Sequence, residues 1–315
     1  MEAVARRTRR SIQAPSSVVM IRPHHFRSNP ETRADNAFQS SDDELSPEGI
    51  RRAAFDEVTI AANTLQDLGV TTHVFDDERD DRPDAVFPNN WFSTHSGGHV
   101  AVYPMEAANR REERRSDVID LLKQQYRVQD VIDYSGLEAD GLSLEGTGAM
   151  VLDHEDRVAY VARSRRADPI ALERFCTHFN FEPIVFDAVD ESGTAIYHTN
   201  VLMCIATEFA MIGLDSIVDE GRRAEVVDRL AESGREVIAL TNRQIAEFAG
   251  NAIELQGSFS RLLALSARAC ASLTLSQKAI IERSCQLVPL DVPTIELAGG
   301  SVRCMLAGVH LVRRG

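Results

Sequence analysis

The sequence predicts a mixed α/β chain assembled from five copies of one supersecondary unit. Short apolar runs of strand length alternate with amphipathic helical stretches, the pattern of an α/β protein. Five segments share one layout, a polar residue followed by a short hydrophobic run, and their spacing is nearly constant. No Gly-, Ser- or Pro-rich linker divides the 315 residues, although that length alone suggests about two domains.

Taken in order, Val18–Ile21 reads as a strand ended by Pro23. Ser28–Asp43 reads as a loop, with Asn29-Pro30 as a turn signal. Ser46 fits a helix N-cap, Pro47 the first helical position and Gly69 the close, over a stripe from Ile50 to Leu65. Strands are expected at Val70–Phe75 and around Phe87 and Trp91 within Asp84–Thr94, and a helix at Glu112–Tyr126. Further strands are expected at 149–153, 158–162, 184–186, 201–205, 209–214, 237–240, 252–255 and 262–265. Further helices are expected at 169–179, 222–232, 241–248 and 276–284.

The repeated segments are Phe87-Pro-Asn-Asn-Trp-Phe, Leu144-Glu-Gly-Thr-Gly-Ala-Met-Val, Tyr197-His-Thr-Asn-Val-Leu-Met, Gly250-Asn-Ala-Ile-Glu-Leu and Gly299-Gly-Ser-Val-Arg-Cys-Met-Leu. With Asn90, Glu145, His198, Asn251 and Cys304 as markers, the intervals are 55, 53, 53 and 53 residues. Five such units closed around an axis gather Glu, His, Cys and two Asn side chains at one centre. One domain over residues 17–315 follows, preceded by an N-terminal tail over residues 1–16. That stretch carries Arg6, Arg7, Arg9 and Arg10 without the apolar core of a secretory signal, so it reads as a solvated tail or a transit peptide.

Composition excludes several classes. The net charge of −14 argues against nucleic-acid binding, which needs excess Lys and Arg. No run of about 18 apolar residues suggests a membrane span. Five scattered cysteines form neither a zinc motif nor a disulfide framework, so no metal and a reducing, cytoplasmic setting are expected.

Chemistry concentrates at three markers. Cys304 follows two glycines that let backbone approach a ligand, and Arg303 favours a thiolate if it turns toward the sulfur. His198 is the natural acid and base near neutral pH. Glu145 can orient it or accept a substrate N–H. Cys, His and a carboxylate make a nucleophilic constellation recognised by roles rather than order.

At these residues the sequence resembles the guanidino-group-modifying superfamily of arginine deiminases, dimethylarginine hydrolases and amidinotransferases, and most of all the citrulline-utilisation hydrolases. The resembling segments are the five above together with Asn29-Pro-Glu-Thr and Asn36-Ala-Phe-Gln39, over about Ser17 to Leu311. The resemblance implies a five-bladed α/β propeller with pseudo-fivefold symmetry (a pentein). It implies Cys304 as nucleophile, His198 as general acid/base and Glu145 as its acidic partner. It implies substrate contacts from Asn90, Asn200 and Asn251, with Arg166 of Ser164-Arg165-Arg166 as a clamp for the substrate carboxylate. No cofactor is implied. The partner expected is a small amino-acid substrate; homo-oligomerisation is left open, as is a lid or plain-loop role for Asn29–Gln39.

Deiminases of this superfamily grip guanidinium with two aspartates where this chain has Asn90 and Asn200. A cation with donors only suits carboxylates, whereas a ureido group carries a carbonyl that a carboxylate repels and an amide N–H₂ satisfies. Citrulline hydrolysis to ornithine, carbon dioxide and ammonia through a covalent Cys304 intermediate is therefore the expectation. Arginine dihydrolase, arginine deiminase, methylarginine hydrolase and a non-catalytic scaffold are the alternatives.

Overall fold

The computed structural model describes residues 11–41 and 45–315. Its strands are β1 (Ser17–Pro23), β2 (Thr71–Asp77), β3 (Phe92–His95), β4 (His99–Val102), β5 (Asp130–Asp133), β6 (Val151–Asp153), β7 (Val158–Ala162) and β8 (Glu182–Phe186). They continue as β9 (Met203–Ile205), β10 (Phe209–Ile212), β11 (Glu236–Ala239), β12 (Ile253–Gln256), β13 (Arg261–Ser266), β14 (Cys285–Leu290) and β15 (Ala307–Gly308). These form five three-stranded sheets, ordered β15-β1-β2, β3-β4-β5, β6-β7-β8, β9-β10-β11 and β12-β13-β14.

Every sheet follows one rule. The middle strand pairs antiparallel on one side and parallel on the other. A parallel partner needs a crossover connection, and a helix supplies it each time. Pro47–Asp67 joins β1 to β2, Ser116–Gln125 joins β4 to β5, Pro169–Phe179 joins β7 to β8 and Glu220–Glu232 joins β10 to β11. Ala267–Ser272 and Leu275–Ile281 together join β13 to β14. The first sheet is completed by the last strand, so its unit is split between the two ends of the described chain.

Local chemistry accounts for the helix starts. Ser46 Oγ accepts from Gly49 N ahead of Pro47, and Asp168 accepts from Ile170 N and Ala171 N ahead of Pro169. Thr241 and Thr274 form capping boxes with Gln244 and Gln277. Each helix buries one stripe: Ala54, Val58, Ala61 and Leu65 face the β1–β2 sheet side, and Leu172, Phe175 and Phe179 do the same for β7–β8.

Three expectations change. The strands expected at 84–94, 149–153 and 201–205 each begin later, behind a helical turn: Pro88–Asn90, Gly146–Ala149 and Thr199–Leu202. A fourth such turn, Val302–Met305, precedes β15. The even marker spacing is therefore not the structural register. Glu145 and His198 both sit at the N-cap of their turns, and Ser301 holds that place before β15. Cys304 lies inside its turn. Strands β4, β5, β14 and β15 were not expected; β5 has charged ends, Pro289 interrupts β14, which tolerates it as an edge strand, and β15 spans only Ala307–Gly308.

The tail expected over residues 1–16 is corrected at Gln13–Pro15, which are buried, with Ile12 and Ser16 exposed on either side; residues 1–10 lie outside the described residues. Gln13 is buried, donating from Nε2 to the carbonyls of Leu152 (3.1 Å) and Ile205 (3.0 Å) and accepting from His154 N at 2.8 Å. It thereby ties β6 to β9 at one end of these inner strands. Gln13→Ala strands those groups, and a loss of about 2 kcal/mol or more in urea unfolding is expected.

Candidate active site

The helical turns before β3, β6, β9 and β15 bring their polar residues together. Cys304, His198, Asn90 and Arg166 line one small cavity of about 10 Å³ with Asp84 and Arg110. Glu145, Asn200 and Asn251 stand directly behind it, so all seven residues expected from the sequence converge.

Glu145 is fully buried. Its Oε2 meets His198 Nε2 at 2.8 Å and Arg110 Nη1 at 3.1 Å, with Arg166 Nη1 at 3.6 Å. Its Oε1 accepts from Glu106 N at 3.1 Å. Burial pushes this carboxyl's pKa up, but Arg166, Arg110 and the His198 bond outweigh burial and hold it well below the usual carboxylate range. Burial lowers His198 to about 4 against the pull of Glu145, so the ring is neutral. An ionised carboxylate only accepts, so His198 Nε2 carries the proton and Nδ1 keeps its lone pair.

That Nδ1 edge lies against Gly148. A Cβ added at Gly148 would stand 2.2 Å from the Asn90 side-chain amide and 2.8 Å from His198 Nδ1. No residue with a side chain fits there.

Cys304 Sγ receives two amide donors, Asn200 Nδ2 and Asn251 Nδ2, each at 3.2 Å. Asn251 also donates to Asn200 O at 3.1 Å and accepts from Arg303 N at 3.0 Å, which fixes the turn that carries the thiol. Charge-favouring donors on sulfur suit a nucleophile. The Arg303 guanidinium does not turn to the sulfur; it bonds Leu306 O at 3.1 Å. Of the two glycines before Cys304, Gly300 lines the cavity and Gly299 does not. Both are closely packed by protein: a Cβ at Gly299 would meet the Asn36 amide at 2.5 Å, and one at Gly300 the Phe87 ring at 2.8 Å.

Arg166, expected as a carboxylate clamp, is buried across the Tyr197 ring at 4.8 Å. Its fork is held by Asp35, at 2.6 and 3.2 Å. Asn90, in the orientation that satisfies its amide, accepts from Arg110 Nη2 (3.0 Å) and Nη1 (3.2 Å) and donates to Asn89 Oδ1.

Sequence reasoning missed Asp84, Arg110, Glu113 and Asp35. Arg110 grips Glu113 bidentately (2.9 and 3.0 Å) and approaches Asp84 at 3.6 Å. Burial raises Glu113 to about 7 despite Arg110, and raises Asp84 as well. Asp84 Oδ2 accepts from Asn29 at 2.8 Å, while its buried Oδ1 has no partner. The available signal for Asp84 was its place six residues before Asn90, but its neighbours read as plain strand.

A larger groove of about 700 Å³ lies beside Phe38, which packs on Tyr197 and Phe248. It is lined by no cysteine or histidine, so the smaller cavity is the chemical centre. Among the described residues no group of three or more His, Cys, Asp and Glu is arranged for a metal, and no helix is long and apolar enough to cross a membrane.

Comparison with known proteins fits this geometry. A family model described as N,N dimethylarginine dimethylhydrolase, eukaryotic, matches residues 22–311. The chain belongs to this family. It is a hydrolase acting on carbon–nitrogen bonds, within the guanidino-group-modifying superfamily.

Solved structures agree in fold. The N-terminal domain of ArgZ, an arginine dihydrolase of cyanobacteria solved bound to substrate, matches at TM-score 0.71 and 15% identity, covering 93% of this chain and 97% of that one. Unliganded AgrE matches at 0.71 and 16%, covering 95% of this chain and 40% of the longer AgrE chain. A dimethylarginine dimethylaminohydrolase adduct with 4-chloro-2-hydroxymethylpyridine matches at 0.64 and 12%, covering 95% and 100%. No curated protein matches by sequence.

Two substitutions test the architecture. Gly148→Ala displaces His198 and Asn90, and a loss of about a hundredfold in kcat/KM with cooperative unfolding retained is expected. Glu145→Gln leaves Arg110 and Arg166 short of their counter-charge, and chemical denaturation should show a loss of about 3 kcal/mol.

Proposed function

We propose that the five units close as one domain into a five-bladed propeller, and that the site on its axis hydrolyses the ureido group of citrulline through Cys304. Contacts between inner strands support the closure: β9 touches both β6 and β12, and β15 touches β3. The chemistry rests on one observation. Two buried acceptors at the site, Asp84 Oδ1 and Asn200 Oδ1, are without partners, beside two amide donors on Cys304 Sγ. A ligand rich in N–H groups satisfies the acceptors. A ureido carbonyl suits the amides better than a second carboxylate would.

In this reading His198 Nδ1 takes the thiol proton and Cys304 Sγ bonds to the ureido carbon. Amide and backbone N–H groups hold the oxygen as it gains charge. The carbon–nitrogen bond breaks as His198 returns the proton to the departing nitrogen, leaving a carbamoyl thioester on Cys304. His198 then draws a proton from water, whose oxygen bonds to that carbon as the C–S bond breaks and the proton passes to the sulfur; the carbamic acid released loses its remaining carbon–nitrogen bond to give carbon dioxide and ammonia. Citrulline and water become ornithine, carbon dioxide and ammonia, with atoms balanced. The substrate carboxylate takes the Arg166 fork from Asp35.

A second reading, arginine entering and passing through a ureido stage, is favoured by the Asp84 carboxylate, which suits a guanidinium. A panel of citrulline, arginine and methylated arginines with product identification separates the two. Ornithine and ammonia are expected fastest from citrulline; faster ammonia release from arginine rejects the first reading. Cys304→Ala should abolish turnover with the fold intact. Asp35→Asn should lower KM with little change in kcat.

The low pKa of His198 sets the pH behaviour. Its ring is neutral down to about 4, so its own limb of kcat/KM falls there and not near the free value of about 6.5. The unfolded chain protonates first as pH falls. His198 therefore lowers stability progressively below about 6.5, and the difference in urea midpoint between the parent chain and His198→Asn should shift against the parent as pH falls from 8 to 5.

A further inference from the structure

Arg303 is the one part of the nucleophile turn that the proposed chemistry leaves unused. Cys304 lines the active-site cavity, whereas Arg303 lines a separate chamber of about 40 Å³ among β6, β9 and β12. His154, His310, Cys204 and Glu254 share that chamber. It adjoins a second hollow of about 150 Å³ that also touches Pro15, His154 and His310 and reaches Ser11.

The cation there lacks a carboxylate. Arg303 makes no ion pair among the described residues, and its hydrogen bond is to the carbonyl of Leu306. Glu254 is occupied elsewhere: Oε2 takes Thr207 N and Oγ1 (2.7 and 2.6 Å), and Oε1 takes Cys285 Sγ at 3.1 Å beside Arg261 at 3.3 Å. Burial pulls the Arg303 pKa down, and only the sulfurs of Cys304 and Cys204 offset that effect. The guanidinium is only partly buried, yet it faces this chamber without a carboxylate partner, and a counter-anion is the ordinary remedy for such a cation.

The remaining walls supply further polar edges. The rings of His154 and His310 stack at 3.9 Å and 25°. His310 Nδ1 bonds Ile12 O at 3.0 Å, and the His154 ring has no hydrogen-bond partner among the described residues. Space for one water needs about 10–15 Å³, so the chamber admits an ion of two or three heavy atoms and little more.

We propose that this chamber is a binding site for a small monovalent anion of the carboxylate or bicarbonate class, held by Arg303 behind the Cys304 turn. The ion neutralises the positive charge that Arg303 holds behind the Cys304 turn, so occupancy slows reaction at Cys304. Asn251, which accepts from Arg303 N and donates to Cys304 Sγ, links the two sides.

The test uses the full chain. Formate is titrated calorimetrically, crystals are soaked in bromide and located by anomalous scattering, and iodoacetamide labelling of Cys304 is timed at fixed pH. Expected are saturable one-site heat, a bromide peak against the Arg303 guanidinium and labelling slowed about threefold or more by formate. Arg303→Met should abolish the heat and the formate sensitivity. No bromide at Arg303, or no saturable heat, overturns the site even if Arg303→Met does not fold; equal slowing in a folded Arg303→Met overturns the link to Cys304. The calorimetric and diffraction arms read the chamber alone and stand apart from the fate of citrulline at Cys304.

Discussion

The rest of the site depends on keeping one carboxylate ionised out of water. Glu145 is fully buried, and an isolated carboxylate there would protonate. Arg110, Arg166 and the Glu106 N–H prevent it, the first and last from one connection after β4 and Arg166 from the chain after β7. Because Glu145 stays an acceptor, His198 must donate to it. Because His198 donates through Nε2, its other nitrogen is free to act as a base. Position and tautomer of the histidine thus follow from a single charge, while burial keeps its ring neutral against the pull of that charge.

The same requirement explains the stacking of ion pairs around it. Arg110 serves Glu145 with one nitrogen and Glu113 with two, and Asp84 lies just beyond. Arg166 bridges from Glu145 to Asp35 at the more exposed rim. A buried network of this kind is stable only when each member is satisfied. The fold meets part of the requirement by placing Glu145 and His198 at the N-caps of short helical turns ahead of β6 and β9, and brings the other members in from connecting segments. Glu145 and His198 share that position in consecutive units, which is why a carboxylate and an imidazole 53 residues apart meet.

Much of this was legible in the sequence, for identifiable reasons. The helix starts at Ser46–Pro47 and Asp168–Pro169 are local chemistry and needed no tertiary context. Cys304, His198, Glu145, Asn90, Asn200 and Asn251 stand out because each interrupts an apolar run. Arg110 and Glu113 do not: in a stretch as charged as Asn-Arg-Arg-Glu-Glu they read as solvated, and only their mutual pairing at i,i+3 makes burial tolerable. Gly299 and Gly300 were visible as glycines, but a sequence does not say whether a ligand or a neighbouring side chain occupies the space. Gln13 sits among residues of tail-like composition, and its three bonds connect to elements about 140 and 190 residues away.

The acceptors without partners carry the argument about substrate furthest. A buried oxygen lacking a donor costs about 1–3 kcal/mol, and the site holds two, on Asp84 and Asn200. A substrate bearing terminal N–H groups removes both penalties on binding, while one lacking them leaves both in place. Discrimination of this kind exceeds what an apolar pocket achieves, because it turns on unpaired polar groups and not on a missing methylene. Asn200 joins this recognition to the reaction: its oxygen awaits a donor while its nitrogen already holds Cys304 Sγ. Replacing that amide by a carboxylate would keep the acceptor and lose the donor on sulfur. The asparagine therefore stands just behind the cavity wall with its nitrogen on the sulfur and its oxygen unpaired among the described residues.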